Sequence, residues 1–356
     1  MPRVRTGWSA RVVRLLLLSV VGLLVISLGT VVATRDEHPT PQPPSVSEIA
    51  LSNARADSLS LQNQANRLAA RSKENRELES VLSETAQALE RHRRMLAPAS
   101  GSSPGVPAAS PSATAASPSG EPADLRSLVE ALARSGRAAL NDAAGTTAGV
   151  AKVLAVAGTE QLTAATALAE AASLPTPKLP AAPTGQDFAD VPGCPAATPS
   201  AASPGATSPT ASQTATGRAE PRPSATTGPG PQQEAQALHT TLTGLQRAVY
   251  IYEAAVPRLS GKAASFAESR LQQHRRALEA GTRLLSSICG RIPVPEAAYE
   301  LPAGFRHAPA AALAAVEHDL VEMYTDLTGL SDGTVRQWSL GLLPRTSLAA
   351  QHWEKP

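Results

Sequence analysis

The chain has 356 residues, a formal net charge of +2, 31 Pro and 24 Gly. So small a net charge gives no argument for a nucleic-acid partner. The length suggests two domains, but about a quarter of the chain is Pro-, Ser-, Thr- and Ala-rich and lacks the apolar content to order itself. Eight of the ten aromatic residues lie between Tyr250 and Trp353, so the best-packed domain is expected in the C-terminal third.

Residues 1–14 carry Arg3, Arg5, Arg11 and Arg14, and no charge follows from Leu15 to Thr34. Twenty uncharged residues at about 1.5 Å each match a hydrocarbon core of roughly 30 Å. The segment 15–34 is therefore expected to be a single transmembrane signal-anchor. The Arg cluster places residues 1–14 in the cytoplasm and the bulk of the chain outside the cell membrane. Cleavage near Ala33 is the alternative and would give a secreted protein.

A module of Ala-rich helices is expected over 46–174. Leu51, Ala54, Ser58, Leu61, Ala65 and Leu68 form one apolar repeat, and Leu78, Leu82, Leu89 and Leu96 resume it with a phase slip. That pattern reads as two helices, or one with a stutter. The basic tip Arg91–Arg94 reads as a solvated helix end, and His92 and His307 as isolated surface histidines. A linker over 97–122 precedes helices over 125–140 and 150–174. These bury small side chains and are marginal alone, so they are expected to pack with the first pair as a four-helix module. A second linker runs over 175–231.

The segment 232–356 shows four helical stripes. Helix one carries Leu238, Leu242, Leu245, Val249, Tyr252 and Val256, and helix two Ala267, Leu271, His274, Leu278, Gly281 and Leu285, with Gly290 as its cap. A Pro-rich crossover of about 18 residues leads to helix three, with Leu313, Val316, Leu320, Met323 and Leu327. Helix four runs from Gly333 to about Trp353, with a kink expected at Pro344. Leu245, Val249, Leu271, Leu278, Leu320 and Trp338 are the expected core.

The stretches "AVYIYE", "LQQHRRALEAG", "PVPEAAYELP" and "VEHDLVEMYTDL" resemble an actinobacterial ferritin-like domain family of unknown function, over about 235–353. The resemblance implies a ferritin-like four-helix bundle with one long crossover at the C-terminus of an exported or membrane-anchored protein. It brings no established activity. The chain lacks the acylated Cys of the lipid-anchored members.

A bundle of that class holds metal with a Glu from each of two helices and a Glu-x-x-His from each of the others. No Glu-x-x-His occurs in the chain, Leu271 stands where the Glu before His274 would be, and Gly333–Trp353 contains no Asp or Glu. Glu317 and Tyr324 flank the helix-three stripe, while His318, Asp319, Glu322 and Asp326 point away from it. The expectation is an all-α protein with no catalytic residues, no cofactor and no metal. It would act as an envelope structural or interaction module with a protein partner left open. A reduced metal or redox site around His274 and Glu317 is the alternative, and an inward pairing of Glu317 with His274 or Tyr252 the structural reading. Cys194 and Cys289, the only two cysteines, are expected to form a disulfide in an oxidising compartment, with two unpaired thiols, Cys289 buried as a small hydrophobe, or pairing between chains as the alternatives.

Overall fold

A computed structural model describes residues 43–97, 121–181 and 230–355. The predicted span 15–34 and Cys194 lie outside the described residues. Among those described, no strand occurs and no helix is long and apolar enough to cross a membrane.

Eight α-helices follow in order: α1 (Val46–Arg71), α2 (Arg76–Met95), α3 (Glu121–Gly145), α4 (Ala148–Ala171), α5 (Pro231–Ala255), α6 (Gly261–Ser287), α7 (Pro309–Leu330) and α8 (Gly333–Glu354). The phase slip in the first apolar repeat is a true break. The chain turns at Ser72–Asn75, and the Asn75 side chain accepts from Leu78 N–H at 3.2 Å to start α2. Helix α8 continues through Pro344, which is buried within it.

The two halves share one pattern of neighbours. In the first, α1 and α4 each pack on α2 and α3; in the second, α5 and α8 each pack on α6 and α7. Each half is thus a hairpin, a connection and a second hairpin. The halves are not separate bodies: α4 also packs on α7 and α8, and α3 on α8. This explains two features of composition. Helices α4 and α8 have neighbours on several sides, so most of their positions are small or apolar, and α8 carries no acid before its last residue, Glu354. Helices α3 and α4 cross at Gly136 and Gly158, where a Cβ on either would stand 2.7 Å from the other's carbonyl oxygen.

Arg336 fastens the halves together. It is buried on α8, and among the described residues no carboxylate lies within ion-pair distance of it. Its Nη1 donates to Thr146 O at 2.6 Å, at the C-terminal end of α3, and its Nε donates to Ser331 O at 2.8 Å. Carbonyls at a helix C-terminus carry partial negative charge and so help to offset the guanidinium's charge, as do the carboxylates of Asp332 and Glu234 nearby. The start of the second linker is also held in place: Arg137 donates to Lys178 O at 3.3 Å and Arg345 to Pro180 O at 2.8 Å.

Leu245, Leu271, Leu320 and Trp338 are in the core as expected, whereas Val249 and Leu278 are only partly buried. The core face of α5 is turned toward Ala248, Ile251 and Ala255, and that of α6 toward Arg270, Ala277 and Leu284. His92 is corrected as well. It is buried, and its Nε2 lies 2.7 Å from Glu160 on α4. His307 is exposed. The cap of α6 also differs: Cys289, not Gly290, takes the left-handed conformation, with φ 60°, and Gly290 N–H closes the turn onto Leu285 O at 2.8 Å. A Cβ at Gly290 would run into the Leu285 side chain, so the glycine serves close approach there.

Candidate functional site

The centre of the C-terminal bundle is polar. Glu317 on α7 has no solvent exposure and is met from two other helices. From α6, Arg270 Nη2 donates to Oε2 at 2.7 Å and Nε to Oε1 at 3.0 Å, a bidentate clamp. One turn further along α6, His274 Nε2 lies 3.0 Å from Oε1. From α5, the Tyr252 hydroxyl donates to the same oxygen at 2.5 Å. Trp353, at the end of α8, donates its indole N–H to the Tyr252 oxygen at 2.9 Å. All four bundle helices therefore contribute to one chain of hydrogen bonds. Arg270 is anchored on its other side by Gln273 Oε1, 2.6 Å from Nη1.

The charges follow from this geometry. Burial by itself would raise the Glu317 pKa. The Arg270 guanidinium, and after it His274, reverse that and hold it at about 2. Burial drives His274 the other way, below its ordinary value, against the pull of Glu317 and with the push of Arg270. The neutral imidazole then donates from Nε2 to the carboxylate. Burial, with Glu317 next in weight, lifts Tyr252 well above its normal range, and burial does the same to Tyr324. At neutral pH the centre holds one carboxylate, one guanidinium, a neutral His and protonated phenols.

Of the two residues singled out from sequence, Glu317 and His274 do come together, and Tyr252 joins them. Arg270 was missed. Two signals pointed to it: it lies four residues before His274, on the same helix face, and a buried carboxylate must find a cation. Tyr324, seven residues beyond Glu317, is also buried and stacks edge-on against Trp338 at 5.6 Å. The residues read as facing away do so: His318, Asp319, Glu322 and Asp326 are exposed. Three of them form surface pairs, with Glu354, Arg247 and Lys152.

Both oxygens of Glu317 are already engaged, and the cation beside them is organic. Among the described residues no group of three or more His, Cys, Asp or Glu is placed to hold a metal ion. Glu253, one residue beyond Tyr252, is exposed and pairs with Arg275 at 2.7 Å.

Residues 237–356 match a domain of unknown function, DUF4439. The match covers the bundle and the whole Arg270–Glu317 network and leaves the first half outside it. No curated protein and no solved structure matches the chain. The DUF4439 segment begins within α5, close to the bundle boundary expected from sequence at residue 232. Its Pro-rich crossover is pinned to α5 by Tyr299, whose hydroxyl donates to Gln246 Oε1 at 3.2 Å, and by Gln246 Nε2 donating to Pro293 O at 3.0 Å.

Proposed function

We propose that the protein is a cell-envelope structural or interaction module, anchored by the 15–34 segment with the bulk of the chain outside the cytoplasm. In this reading the DUF4439 bundle is a degenerate ferritin-like bundle. Two hairpins joined by one long crossover support that relationship. One observation carries the function: a guanidinium clamps both oxygens of the Glu317 carboxylate at the bundle centre. The fixed positive charge of Arg270 stands beside Glu317 where a divalent ion would have to sit. The buried pair ties α6 to α7 and closes the centre against substrate.

Metal analysis of the full chain, purified without chelator, tests this. The expected result is far less than one equivalent of iron or manganese. A full equivalent that disappears in His274→Ala would sink the reading and install the reduced metal or redox site in its place.

A Cys194–Cys289 bridge belongs to the same proposal. Cys289 ends α6 on the protein surface, and no free cysteine occurs among the described residues. The bridge would close a loop of about 95 residues, for which chain entropy gives roughly 4–5 kcal/mol as an upper figure. Non-reducing peptide mapping of the exported protein should return one peptide pair joined through these two residues. Two free thiols would end the idea.

A further inference from the structure

A cavity of about 260 Å³ opens where α4, the 175–181 segment, α6 and α8 meet, on the outer side of Arg270. Its apolar wall includes Leu179, Phe266 and Leu348, and its basic residues are Arg270, Arg345 and Lys355. Two of these cations have acidic partners. Arg270 is clamped on Glu317, and Lys355 lies 2.5 Å from Glu170. Among the described residues Arg345 has none. There its one hydrogen bond is to Pro180 O, and its Nε is buried without a partner. Burial, and then the charge of Arg270, push the Arg345 pKa down, the direction expected of a guanidinium short of negative charge. His352 on the cavity wall is also pushed down, by burial and then by Lys355, so it adds no compensating acid.

We infer that this cavity binds a small organic monocarboxylate, its carboxylate on Arg345 and its apolar body against Phe266, Leu179 and Leu348. An anion supplies the missing counter-charge, and a planar carboxylate matches the guanidinium fork. The apolar wall asks for a hydrocarbon body. The volume lies just below the usual range for ligand pockets, about 300–1,000 Å³, which admits a single ring or short branched chain and excludes a nucleotide. The site joins the two halves of the protein, since Leu179 and α4 come from the first and α6 and α8 from the second. It is independent of the metal question, because Glu317 takes no part in it.

Calorimetric titration of the full chain with benzoate, benzyl alcohol and inorganic phosphate tests the inference. Benzoate should bind at one saturable site and raise the melting temperature. Benzyl alcohol, of similar shape but neutral, and phosphate, charged but without a body, should each bind at least about tenfold more weakly. Arg345→Met should weaken benzoate by at least about tenfold. Leu348→Trp, which fills the cavity and leaves Arg345 intact, should abolish binding while the protein stays folded by circular dichroism. No saturable benzoate binding, equal binding of the alcohol or of phosphate, or undiminished binding in both variants would each overturn the proposal.

Discussion

Glu317→Gln should lower the unfolding free energy of the full chain by about 3–5 kcal/mol, the usual penalty for removing one partner of a buried ion pair. The loss comes less from the missing attraction than from what is left behind: the Arg270 guanidinium stays buried with its charge uncompensated. Arg270→Met should do comparable damage by stranding the carboxylate. The double variant Arg270→Met, Glu317→Leu should recover most of the loss, because apolar groups of similar volume commonly replace a buried pair at little or no cost in stability. Urea unfolding of the parent, Arg270→Met, Glu317→Leu and the double variant supplies the cycle. Two single variants within about 1 kcal/mol of the parent would contradict a buried, desolvated pair.

Acid should destabilise the protein in two stages. Glu317 has a folded pKa of about 2 against a reference of 4.5. A carboxylate depressed in this way contributes stability that is complete above its unfolded pKa and is lost as pH falls toward the folded one. The difference is worth about 3 kcal/mol. His274 is depressed from 6.5. The unfolded chain therefore takes up its proton first, and stability begins to fall below about pH 6.5. Both groups act in the same direction, so urea midpoints measured from pH 8 to 3 should decline from near pH 6.5 and more steeply below 4.5. His274→Gln should shrink the upper stage, to which His352 also contributes, and leave the lower one. A midpoint that rises on acidification would contradict the assignment of a neutral His274 beside an ionised Glu317.

The helices themselves were readable because their apolar residues repeat every three or four positions, and the chain breaks at Pro and Gly lie where elements end. What the pattern could not give was the precise angle at which each helix faces the core. On α6 the apolar stripe points through Leu271 and His274, yet Arg270 is buried too, because a guanidinium with its stem in the core and its head on Glu317 behaves as a core residue. The same holds for His92, whose basic neighbours Arg91, Arg93 and Arg94 made the helix end look wholly solvated. Its partner, Glu160, lies on a helix remote in sequence. Helix α8 was hard to read for the opposite reason. With neighbours on several sides it has little periodicity, and the lack of acids before its last residue, Glu354, first seen as a missing metal ligand, also reflects packing against the first half. Arg336 helps to join the two halves by reaching Thr146 O just beyond α3, and a side chain-to-carbonyl contact leaves no trace in residue types.

The most direct measurement of the central claim is the nitrogen NMR spectrum of the His274 ring in the full chain at pH 7, assigned with His274→Gln, before and after one equivalent of Mn²⁺. A neutral ring with its proton on Nε2, donating to Glu317, and a signal unchanged by the paramagnetic ion are the predicted result. An unprotonated Nε2 whose signal is broadened away by Mn²⁺ would place a metal where Arg270 is said to be the cation, and would contradict the account.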